Sequence, residues 1–175
     1  MDKPDYFQFF GLEPKLTLDL RDLESRFYRL SRELHPDRFL RATPAERQRS
    51  LEATAALNDA YRTLRDPVAR AAYFLEREGF EPSKSAPPEL LEEIFELNMA
   101  LEELRGGDAD ARPQVEAARA HLLRLRQETD AALARHAEEF DRTASRQALA
   151  EIRAVLDRRR YLDNLMNQVE SELNW

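Results

Sequence analysis

The stretch SRELHPDRF, residues 31–39, breaks a helical pattern and restarts it within a few residues. Upstream, Leu20, Leu23, Phe27, Leu30 and Leu34 recur at spacings of 3, 4, 3 and 4, one buried seam of a helix, with Asp19 as N-cap. Pro36 closes that helix, because proline drives the residue before it out of helical dihedrals. A second helix starts at Thr43-Pro44, with Pro44 in its first turn, and turns Leu51, Leu57, Tyr61 and Leu64 inward. Two long helices joined so closely must pack antiparallel. His35-Pro36-Asp37 therefore lies at the exposed tip of a hairpin.

Such a tripeptide has a plain structural reading. A histidine near a helix C-terminus interacts well with the macrodipole, and an aspartate can cap the next turn. Its surroundings add a second reading. The helix face opposite the apolar seam carries Arg29 and Arg32, flanked by Arg26, and Arg38 and Arg41 come after the tip. A rigid, carboxylate-bearing tip beside a basic face suits docking on another protein. No nucleophile, second acid or phosphate-cradling glycine loop lies nearby to build a catalytic site.

Outward from the hairpin, Tyr6 to Leu12 forms a short apolar helix that can pack across the pair, and Asp66-Pro67 starts another helix that runs through Glu78. GFEPSKSAPP, residues 79–88, cannot sustain a helix and serves as a linker between residues 1–78 and 89–175. Beyond it, one helix runs from about Pro88 to Arg105 and stops at Gly106-Gly107. A second starts at Pro113 with Val115, Ala118, Leu122, Leu125, Ala132, His136 and Phe140 on one face. A third begins after Thr143 with Leu149, Ile152, Leu156, Leu162, Met166, Val169 and Leu173. The fold class is all-α, an antiparallel hairpin with short helices and then a three-helix bundle.

Composition narrows the function. The 175 residues include only four glycines and no cysteine, which favours helix and excludes disulfides and thiolate sites. The histidines at 35, 121 and 136 fall into no ligand spacing, so neither metal nor cofactor is expected. His136, on a bundle seam, and His121, off it, are expected to be a boundary residue and a solvated one, and Arg158–Arg160 a solvated run. Residues 1–80 hold 14 bases and 14 acids and residues 81–175 hold 13 bases and 20 acids, giving the net −7. An excess of negative charge argues against nucleic acid, whose phosphates need bases. No apolar run reaches membrane-spanning length, and MDKPDYFQFF lacks a basic leader region, so no membrane and a cytoplasmic location are expected. Oligomeric state is not written in the pattern; a monomer is the expectation.

The helix before Gly106 is apolar on two sides. Leu90, Ile94, Leu97, Leu101 and Leu104 make one seam, and Leu91, Phe95 and Met99 make a second stripe edged by Glu92, Glu96 and Glu103. The pattern alone leaves two readings open. The second stripe completes a wide core arc, or it is an acid-rimmed partner surface.

Residues 5–75 resemble a J-domain, and the whole chain resembles the HscB family of iron–sulfur co-chaperones. The likeness rests on Asp5-Tyr6-Phe7 through Phe10-Gly11-Leu12, on His35-Pro36-Asp37-Arg38-Phe39, and on Leu57-Asn58-Asp59-Ala60-Tyr61-Arg62-Thr63-Leu64. It continues in Asp66-Pro67, Arg70-Ala71 and Arg160-Tyr161-Leu162-Asp163. The resemblance implies that His35, Pro36, Asp37 and Arg38, with the face of Arg26, Arg29 and Arg32, dock on a heat-shock ATPase of the HscA/DnaK class. It also implies that Leu91, Phe95, Glu96, Glu103 and Tyr161 bind the scaffold protein IscU, on which iron–sulfur clusters are assembled, and Met99 of the same stripe is expected to join them. Glu92 and Met99 depart from the family's usual methionine and acid at those positions. With no cysteine in these 175 residues, a bacterial form without the cysteine-bearing extension of eukaryotic members is expected.

Overall fold

Each helix of the first unit starts at a side chain that takes up orphaned backbone N–H groups. Asp5 accepts from Phe7 and Gln8 to start α1, Tyr6–Phe10, and Asp19 accepts from Arg21 and Asp22 to start α2, Leu20–Leu34. A capping box opens α3, Pro44–Arg65: Glu46 accepts from the backbone and hydroxyl of Thr43, while its own N–H donates to that hydroxyl. Those bonds, the hydroxyl's first, hold the Glu46 carboxyl below the usual carboxylate range. Asp66 caps α4, Pro67–Arg77. Gly11 ends α1 at φ 64°, a left-handed conformation that costs a glycine nothing.

This computed structural model describes residues 5–39, 42–83 and 87–173. Every regular element among them is helical, and the chain divides into two compact units at Glu78–Gly79. Arg41 and residues 84–86 of the expected linker lie outside the described residues.

In the first unit α2 and α3 form the hairpin, closed by Leu23, Leu57, Ala60 and Leu64 and by Phe27 stacked on Tyr61 at 4.2 Å. Phe7 and Phe10 of α1 and Phe74 of α4 fill the other side. The Tyr6 N–H donates to the Tyr73 hydroxyl, and the two rings stack at 4.6 Å. Arg70 is buried and donates from Nε to the Leu16 carbonyl and from Nη1 to the Leu64 carbonyl. It ties the loop before α2 to the end of α3.

The second unit holds α5, Leu91–Arg105; α6, Arg112–Thr143; and α7, Arg146–Leu173. Short 3-10 turns, Pro88–Leu90 and Ala109–Ala111, precede α5 and α6. With 15 residues α5 is about 22 Å long, while the 32 residues of α6 reach about 48 Å. The bundle is therefore three helices deep only where Leu90, Leu97 and Leu101 meet Val115, Leu122, Leu125, Leu162, Leu165, Met166 and Val169.

Some expected packing differs. Leu51 is 53% exposed, because α2 does not cover its face of α3, and Leu20 stands outside the hairpin core at the start of α2. Past Leu125 the buried positions of α6 are Thr129, Leu133 and Ala137, not Ala132, His136 and Phe140, which are half-buried. Steps of four suit the stretch where α6 packs on α7 without α5. Leu156 and Leu173 are half-buried. Arg158–Arg160 is no solvated run either: Arg159 is buried between Asp130 and Asp163, and Arg160 reaches Ser83 and Asp157. The buried Asp157 carboxylate accepts the Ser83 N–H at 3.0 Å, so the segment after Gly79 is held against α7.

Replacing Arg70 with methionine keeps the volume but strips donors from two buried carbonyls. We expect it to cost more than about 2 kcal/mol of unfolding free energy, read as a shift of urea midpoint at unchanged slope. A loss under about 0.5 kcal/mol, the surface range, would show that the tie is dispensable.

Candidate functional site

The last turn of α2 leaves carbonyls without intrahelical donors. The Leu34 carbonyl accepts the Ser50 hydroxyl of α3 at 2.7 Å, and the Thr54 hydroxyl lies 3.2 Å away, nearer to the Ser50 carbonyl at 2.8 Å. The His35 carbonyl accepts the Arg38 N–H at 3.0 Å, and Arg38 Nη1 reaches the Arg32 carbonyl at 3.5 Å. Pro36–Phe39 is a 3-10 turn lying on α3. The tip is thus tied down through its backbone, while the His35 and Asp37 side chains stay mostly exposed.

Within the tip the Asp37 N–H donates to His35 Nδ1 at 3.2 Å. In the neutral ring that leaves the hydrogen on Nε2, a free donor. The Asp37 carboxylate stands 3.6 Å from Nδ1, with most of its acceptor capacity turned to solvent. The tip offers one donor and one carboxylate, held close together, and no group poised for chemistry.

The basic face divides by task. Arg29 and Arg32 are exposed and form no ion pair with another described residue. Arg26, expected with them, is committed elsewhere. Its Nε donates to Asp22 at 2.9 Å, and its Nη1 donates to the carbonyls of Phe10 and Gly11 at 3.1 and 3.0 Å. It fastens the end of α1 to α2. The sequence did not signal this, because the contact spans fifteen residues.

On the second unit, Leu91, Phe95 and Met99 are 56%, 65% and 48% exposed, so the second stripe of α5 is not core. Glu92, Glu96 and Glu103 are exposed beside it. Tyr161 of α7 is half-buried against the bundle core, with the Arg160 guanidinium 5.5 Å from its ring centre. Glu96, Met99 and Glu103 also line a groove of about 520 Å³ between α5 and α6, opposite Gln114, Ala117 and His121. Leu91 and Phe95 stand outside that groove on the same helix. The wall from α6 was not legible in the stripe pattern, which describes one helix at a time.

Residues 5–73 match the DnaJ domain family, and residues 86–170 match the family described as the HSCB C-terminal oligomerisation domain. A co-chaperone protein HscB homolog from Azoarcus sp. (strain BH72) is 32% identical over 174 residues, 97% of this chain and 93% of that one. This chain belongs to the HscB family. Chaperone HscB from Vibrio cholerae, 29% identical, superposes with a TM-score of 0.69 over 98% of both chains. The crystal structure of human co-chaperone protein HscB, 22% identical, shares the fold with a TM-score of 0.70 over 99% of this chain and 84% of its own. HscB proteins are J-domain co-chaperones of iron–sulfur biogenesis, not themselves an enzyme family, and a J-domain implies a partner of the heat-shock ATPase class.

The division of the basic face is testable. Arg26→Ala should cost about 1–3 kcal/mol in urea unfolding through its lost hydrogen bonds, whereas Arg29→Ala and Arg32→Ala should stay within about 0.5 kcal/mol. Charge reversal at the latter two should instead slow association with the partner chaperone and flatten its salt dependence in stopped flow. Equal destabilisation at all three positions would contradict the division.

Proposed function

We propose that this chain stimulates the ATPase of an HscA- or DnaK-type chaperone and delivers the iron–sulfur scaffold IscU to it for cluster transfer. The observation that carries the reading is the tip: its backbone is tied to α3 while His35 and Asp37 remain exposed. Docking on a preformed tip loses little conformational freedom. Asp37 is an acceptor suited to an arginine of the partner, His35 Nε2 is a donor, and Arg29 and Arg32 steer a negatively charged surface toward them. The chain would act by favouring the chaperone's hydrolysis-competent state, a coupling of sites that needs no catalysis of its own.

The client surface of this reading is the Leu91–Phe95–Met99 stripe with Glu96 and Glu103, together with Tyr161. Exposed apolar side chains rimmed by acids suit a protein partner. A second reading is favoured by the description of the family matched by residues 86–170, which speaks of oligomerisation. In that case the same stripe would pair two copies of the chain.

Two variants test the first reading. His35→Gln should abolish stimulation of steady-state ATP hydrolysis by the chaperone while the melting temperature holds, since exposed positions change stability by less than about 0.5 kcal/mol. Undiminished stimulation would refute the docking role. Truncating Leu91, Phe95 and Met99 to alanine should leave urea unfolding nearly unchanged but remove IscU binding. The same change at Ile94, Leu97 and Leu101 should cost about 2–5 kcal/mol at each of the buried Leu97 and Leu101 and less at the half-buried Ile94. If the first triple variant binds IscU fully yet no longer dimerises in sedimentation, the second reading holds.

A further inference from the structure

We propose that the groove between α5 and α6 seats a lysine or arginine side chain of the scaffold that docks on the Leu91–Phe95–Met99 stripe. This extends the client surface onto α6, and it rests on the proposal that the stripe binds IscU.

The groove has two kinds of wall. Leu97, Ala100, Ala117, Ala118 and Leu122 supply apolar surface, suited to the methylene stem of a long basic side chain. Glu93, Glu96 and Glu103 supply three carboxylates, and no lysine or arginine lines the groove. Glu96 and Glu103 form no ion pair with a described residue. Charge and shape together fit a cationic head on an aliphatic stem.

Glu93 is the under-satisfied member. Its Oε2 is out of solvent and accepts no hydrogen bond from a described residue. Its Oε1 stands 3.9 Å from His121 Nε2, beyond hydrogen-bond range. Arg124 Nη2 donates to His121 Nδ1 at 3.0 Å, so in the neutral ring the hydrogen lies on Nε2, facing Glu93 across that gap. The rest of the Glu93 side chain, 28% exposed and lining the groove, gives an incoming cationic donor a charge-assisted partner.

Met99 belongs to both surfaces: it is the last residue of the exposed stripe and it lines the groove. A partner anchored by apolar residues on Leu91 and Phe95 therefore has the groove within reach of its next side chains. The sequence-based expectation of a solvated His121 overlooked this place, as did the assignment of the client surface to α5 and α7 alone.

The test is calorimetric titration of purified IscU into the full chain at low and moderate salt, with melting curves for each variant. Glu93→Gln removes the charge at constant shape, and Ala117→Phe fills the groove from the α6 side. Each should weaken binding about tenfold or more, and Glu93→Gln should also reduce the salt dependence. A Leu91→Ala/Phe95→Ala variant is the control for the stripe. If it loses binding while both groove variants bind like wild type, the groove inference is wrong and the client reading stands. If it binds at full strength, or the wild type does not bind IscU, the client reading fails and takes this inference with it. Should Ala117→Phe melt early, Glu93→Gln alone decides.

Discussion

The Leu34 carbonyl is the point on which the shape of the hairpin tip depends. As the last carbonyl of α2 it has no intrahelical donor, and α3 supplies one in the Ser50 hydroxyl at 2.7 Å. That pairing fixes where α2 ends relative to α3. Pro36 can then turn the chain without fraying it, and His35 and Asp37 are presented in one arrangement before any partner arrives. The other ties serve the same end at a distance. Arg26 holds α1 on α2, Arg70 joins the Leu16 and Leu64 carbonyls, and Phe27 stacks on Tyr61 between the hairpin helices. Positive charge is thereby split between arginines that build the unit and arginines, 29 and 32, that stay exposed.

The second unit meets a different constraint. Helix α5 carries more apolar surface than a short third helix can bury against two longer ones. One seam, through Leu90, Leu97 and Leu101, goes into the core, and the other stays in solvent. Exposed apolar area of this kind invites indiscriminate association. The acids beside it limit that, because only a surface with matching positive charge gains on approach. The segment after Gly79 is held to α7 through Asp157 and Arg160, so α5 is entered from a fixed place in its own unit.

The caps, the proline breaks and the paired apolar seams were legible in the sequence because each depends on residues within a few positions of one another. Asp19, Thr43-Pro44, Asp66-Pro67 and Gly106-Gly107 mark helix ends where the structure has them. Pattern could not say which neighbour a face would meet. Leu51 fits a helical seam, yet it is left exposed. The far half of α6 buries Thr129, Leu133 and Ala137 because only α7 lies against it there. The double stripe of α5 was visible, but whether its second face is buried was not; Phe95, 65% exposed, is outside the core. Arg26 and Arg159 meet partners on other elements, the Phe10 and Gly11 carbonyls and Asp130, and local spacing carries no record of them.

On the proposed function, one chain must hold the chaperone at its tip and the scaffold at α5 together. Complementation in trans measures this most directly. His35→Gln retains the stripe, and the Leu91→Ala/Phe95→Ala/Met99→Ala variant retains the tip. Transfer of a cluster from loaded scaffold to an acceptor apoprotein, driven by chaperone and ATP, should remain at the co-chaperone-free rate when the two variants are mixed. Recovery of the wild-type rate by the mixture would mean that the two surfaces need not share a chain, and would contradict the account.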